Sequence, residues 1–63
     1  MAQYKCYLLN RENHILRRED VEVDALPRAI ERGHALLDRT PHRFHGFEIW
    51  QSAERLHAYR RSA

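Results

Sequence analysis

One short stretch of this sequence, Phe44–Gln51 (FHGFEIWQ), carries large apolar side chains on both of its faces. Alternate residues of an extended strand point to opposite sides. Phe47 and Ile49 therefore share one face, and Phe44, Glu48 and Trp50 share the other. A strand that needs cover on both sides belongs in the middle of a sheet. Only residues 24–40 read as an element able to supply that cover. Leu26, Ile30, Gly33 and Leu37 recur at the i, i+4, i+7, i+11 spacing of an amphipathic helix, flanked by Ala29 and Leu36. Arg28, Glu31, Arg32, Asp38 and Arg39 fall on its other side. A single helix roofs one face of a sheet, so the second face must stay open.

The ends of this helix are marked. Asp24 is a good N-cap, Pro27 fits the first turn, and Asp24 and Arg28 make an i, i+4 ion pair. Thr40-Pro41 stops the helix, because the residue before proline disfavours helical geometry. Gly33 costs about 1 kcal/mol against alanine in mid-helix. Its place on the apolar side predicts close approach to the sheet, over Phe47.

The remaining segments read as strands. Tyr4–Leu9 (YKCYLL) has no breaker, with Tyr4, Cys6 and Leu8 on one side and Lys5, Tyr7 and Leu9 on the other. Asn10–Asn13 is a turn in which Asn10 bonds the backbone two residues on and Asn13 takes the left-handed conformation. His14–Arg18 returns as a partner strand. Arg17-Arg18-Glu19-Asp20 then interrupts its apolar pattern before Val21 and Val23 resume it. Inward charges, or a bulge that turns them out, guard an edge strand. After Ser52-Ala53-Glu54 a fourth strand covers Arg55–Tyr59, and 60–63 reads as a frayed tail.

The predicted fold class is α+β, with element order ββαββ in a single domain spanning residues 1–63. A right-handed crossover that skips the first strand gives a four-stranded antiparallel sheet of order 2-1-3-4, with 2-1-4-3 as the alternative. Simple alternation puts Cys6, Leu8, Ile15, Phe47, Ile49, Leu56 and Ala58 under the helix. Tyr7, Glu48, Trp50, His57 and Tyr59 then occupy the open face, with Lys5 and Leu9 at its margin.

Size and charge bound the function. Sixty-three residues lie near the lower limit for a self-sufficient core, where a partner subunit often supplies further burial. The lone Cys6 cannot close an internal disulfide, and no apolar run approaches the roughly 20 residues of a membrane span. The opening MAQYKCYLLNRE has too short an apolar run for a secretory signal. These features predict a cytoplasmic protein with no membrane partner. Residues 1–27 carry a net charge of −1 and residues 28–63 a net charge of +3. That asymmetry falls well short of a dedicated nucleic-acid tail.

The run AIERGHALL, the strand GFEIWQ, a short polar turn and RLHA together resemble a group of short bacterial proteins of unknown function. The shared pattern includes a Tyr-rich first strand, a loop before His-Ile and an alanine-rich helix. The likeness spans nearly the whole chain and implies the same ββαββ fold. Pro27, the longer DRTPHRFH connection and Ser52-Ala53 depart from it. The resemblance implies no activity.

Metal and catalytic motifs are thin. His42 and His45 stand three apart, but zinc sites recruit three or four ligands, and Cys6 points to the core side. Glu48 beside His57 could serve as an acid/base pair, against the plainer reading of a cross-strand pair that fixes register. No phosphate loop, Ser-His-Asp set or paired-carboxylate motif is present. The expectation is a non-enzyme without cofactor or metal. Tyr7, Glu48, Trp50, His57 and Tyr59 form its contact surface, for a second copy of the chain or another protein. The alternative is stacking of nucleic-acid bases on Tyr7, Trp50 and Tyr59, with Lys5, Arg55 and Arg60-Arg61 nearby.

Overall fold

The computed structural model describes residues 2–40 and 42–61. Strand β1 spans Ala2–Leu9, β2 Ile15–Val23, helix α1 Leu26–Arg39, β3 Gly46–Gln51 and β4 Glu54–Arg60. The sheet is antiparallel throughout, in the order β2-β1-β3-β4. This is the predicted ββαββ architecture, with β1 and β3 central and both hairpins ending in an edge strand.

The first hairpin turns as the asparagines dictate. Asn10 Oδ1 accepts hydrogen bonds from the N–H groups of Glu12 and His14, both at 2.9 Å, and Asn13 adopts φ 68°. The second turns at Ser52-Ala53, with Gln51 paired to Glu54 and Ser52 at φ 55°.

The helix lays Ala29, Gly33 and Leu37 against the sheet, with Leu26, Ile30 and Leu36 at the sides. Its N-cap is Ala25, without a side-chain cap, so Asp24 is not the capping residue. Arg28 pairs with Glu31 at 3.4 Å rather than with Asp24, since residues three apart are neighbours once the helix has started. At the other end Thr40 is the C-cap, its N–H bonded to the Leu37 carbonyl and its hydroxyl to that of Leu36, each at 3.2 Å. Pro41 lies outside the described residues.

Arg61 is no frayed end. Its N–H donates to the His45 carbonyl at 2.8 Å, and its guanidinium donates to the Leu37 carbonyl at 2.8 Å. A cation at a helix C-terminus gives a last-turn carbonyl a second donor and complements the helix dipole. Arg60 still belongs to β4, while Ser62 and Ala63 lie outside the described residues.

Cys6, Phe47 and Ile49 are wholly buried beneath the helix, joined by Leu8, Tyr4, Val21 and Leu37. Gly33 sits directly above Phe47. A Cβ at that position would stand 2.5 Å from the ring, so only glycine lets the helix come this close. Phe44 also joins this core. It was expected beside Trp50, but it precedes the strand in a turn whose N–H groups bond Thr40, where alternation does not hold.

Candidate interaction surface

Two bulges decide which side chains reach the open face. In the β1–β2 pair the register shifts between Leu8 and Leu9, so that Leu8 pairs with Arg17 and Leu9 with Ile15. Leu16 is the extra residue. A bulge reverses the facing of everything beyond it. Ile15, expected under the helix with Val21, is therefore turned to the open side and is 58% exposed. Arg17 and Glu19 stay on the helix side at the sheet edge, paired at 3.0 Å.

The β3–β4 pair shifts between Ile49 and Trp50. Trp50 pairs with Arg55, but Ile49 pairs with His57, Glu48 with Ala58 and Phe47 with Tyr59. Leu56 is the extra residue and packs against the core. His57 and Tyr59 thus lie on the helix side, not beside Trp50, and Ala58 takes the open side. On the helix side His34 of α1 meets Tyr59 at 4.5 Å and Phe47 at 5.0 Å, ring centre to ring centre. The proposed Glu48–His57 pair does not form, because the two residues occupy opposite faces.

What remains on the open side is built around Trp50. Its indole N–H donates to Glu48 Oε1 at 2.9 Å, and Arg55 donates to Glu48 Oε2 at 3.3 Å. Both carboxylate oxygens are engaged, which holds the indole in one orientation. Tyr7 meets Trp50 edge-on, with ring centres 6.1 Å apart and planes at 83°. Tyr7, Ile15, Arg18, Glu48 and Trp50 line a shallow hollow of about 340 Å³. Tyr7, Glu48 and Trp50 are thus brought together as expected, and Ile15 and Arg18 are added by the first bulge. The break in the period of two after Ile15-Leu16 was the one sequence signal for that addition.

The face is mixed in charge. Register places Lys5, Arg18, Arg55 and Arg60 on it together with Asp20, Glu22 and Glu48. The β2 margin carries the anions Asp20 and Glu22 beside the cation Arg18, and the β4 margin carries only the cations Arg55 and Arg60.

Cys6 lies on the other side of the sheet. Burial, and secondarily the charge of Glu19, push its thiol up to about 11. A buried thiol held protonated is a poor nucleophile and a poor metal ligand. Among the described residues no group of three or more His, Cys, Asp or Glu side chains converges as a metal site would require. Among the described residues no helix is long and apolar enough to cross a membrane. No protein-family model, curated protein or solved structure matches the chain, and the likeness noted above rests on its motifs alone.

Proposed function

We propose that this chain is a small non-enzymatic interaction module that pairs with a second copy of itself through the open sheet face centred on Trp50. The observation that carries this reading is the Tyr7–Trp50 pair, fixed by Glu48 and Arg55 and flanked by the exposed Ile15, on the face the helix leaves uncovered. Tryptophan and tyrosine held in one rotamer lose little entropy on contact and are favoured at interface centres. A chain of this size also gains from a partner the burial that its own core supplies sparingly. Its free, buried Cys6 suits a reducing cytoplasm.

The base-stacking alternative has less support than the sequence suggested. One of its three stacking residues, Tyr59, lies on the helix side, and Glu48, Asp20 and Glu22 oppose phosphate on the face that is left. The test is sedimentation equilibrium from low to high micromolar concentration. The parent chain is expected to approach twice its 7.6 kDa mass. Trp50→Ala is expected to remain monomeric with its helical circular dichroism intact. A parent chain that stays monomeric at high micromolar concentration overturns the proposal. A gel shift with single-stranded nucleic acid that weakens with salt and vanishes in Trp50→Ala would favour the alternative.

A further inference from the structure

Resting on that reading, we infer that the two copies stack face to face about a twofold axis parallel to the strands, with the acidic β2 margin of each over the basic β4 margin of the other. Aligned sheets pack with their strands within about 30° of each other, so a twofold axis between two such faces runs either along the strands or across them. The cross-strand rows tell the two arrangements apart. One row reads Asp20, Lys5, Trp50, Arg55 from β2 to β4, and the next reads Arg18, Tyr7, Glu48, Ala58.

An axis along the strands lays each row over its own reverse. Asp20 then faces the partner's Arg55, Lys5 faces the partner's Trp50, and Tyr7 faces the partner's Glu48. Each unlike pair occurs twice, and Lys5 over an indole is a cation–π contact. An axis across the strands lays β4 over β4 instead. Arg55 and Arg60 would then be gathered against the same two cations, with no anion of the β2 margin within reach. Like charges brought together in an interface are strongly unfavourable. Arg55 uses part of its guanidinium on Glu48, and a guanidinium has five N–H donors, so it retains donors for a second carboxylate.

The experiment is a charge swap. Asp20 and Arg55 are both exposed, so Asp20→Arg and Arg55→Asp should each leave the fold intact by circular dichroism. Each variant alone sets like charges together in both copies of the contact, and should weaken self-association at least about tenfold. Mixed in equal amounts, the two variants restore both unlike contacts in a heterodimer, which should recover close to the parent's affinity. Recovery on mixing could not occur if Arg55→Asp had merely released the indole. Variants that each dimerise like the parent overturn the arrangement, as does a mixture that stays monomeric. So does weakening by Asp20→Arg alone, which would point to the axis across the strands and the partner's Arg18. In all three cases, loss of the dimer in Trp50→Ala would leave the reading of the face itself standing. A monomeric parent removes both.

Discussion

Phe47 and Trp50 stand three residues apart on one strand, and the two faces they belong to are held by different forces. Under the helix, side chains are fixed by shape. Phe47 has no exposed surface, its ring fills the space left by Gly33, and its neighbours Cys6 and Ile49 are equally sealed. On the open side, side chains are fixed by directed bonds, with Trp50 partly buried and anchored to a carboxylate that an arginine also holds. The first face makes the fold, and the second is the face we propose for contact with a second copy. Changes to the first should therefore appear in stability, and changes to the second in association.

The sharpest way to break this comparison is to remove the two rings in turn. Phe47→Ala deletes a wholly buried aromatic side chain and should cost about 3–5 kcal/mol. In a chain this small that approaches the whole folding free energy. Trp50→Ala, measured by urea unfolding at concentrations low enough to keep the chain monomeric, should cost clearly less, about 1–2 kcal/mol. Equal losses would mean that the open face contributes to folding as much as the core does.

A second contrast uses pH, because only the sealed face holds a thiol whose ionisation is suppressed. In the unfolded chain Cys6 titrates near 9.0, and in the folded chain near 11. Below pH 9 the thiol is protonated in both states and its contribution is fully present. As pH rises from about 9 through about 11, the unfolded chain releases the proton while the folded chain still holds it. Stability should then fall by on the order of 2–3 kcal/mol. Tyrosines and lysines also titrate in this range, so the quantity to measure is the difference between the parent and Cys6→Ala across pH 8–11. A difference that does not change with pH would show that water reaches Cys6 and that this face is not sealed.

Much of this was legible in the sequence, and the reason lies in which strands are central. The apolar residues of β1 and β3 alternate without interruption, and Cys6, Leu8, Phe47 and Ile49 fall where the period of two puts them. The strand order also followed, from a single helix and a right-handed crossover. The two outer strands misled in the same way. Each carries one extra residue, Leu16 in β2 and Leu56 in β4, and the residues beyond it change sides. Ile15 thereby moved to the open face, and His57 and Tyr59 moved off it. Edge strands tolerate bulges because one side of their backbone has no ladder to disturb. Alternation is consequently a weaker guide there. Phe44 failed for another reason: it packs from a turn, where side-chain direction follows the turn's hydrogen bonds.

The smallest predicted effect probes how tightly the covered face is fitted. Helix propensity alone favours Gly33→Ala by about 1 kcal/mol. The new Cβ, however, would stand 2.5 Å from Phe47 Cε2 and 2.6 Å from Cδ2, far inside contact distance. Phe47 is enclosed on every side, so its ring cannot swing clear, and overpacking of this kind costs about 1–3 kcal/mol. The net result should be a destabilisation of about 1 kcal/mol, read from the urea midpoint. In a Phe47→Leu background the ring is gone, and the same substitution should turn neutral or stabilising. The double-mutant cycle should therefore give a coupling of about 1–2 kcal/mol between two residues whose only link is the fit of helix on sheet. If Gly33→Ala stabilises the parent outright, the ring has room to yield, and the shape-fixed face is looser than its burial implies.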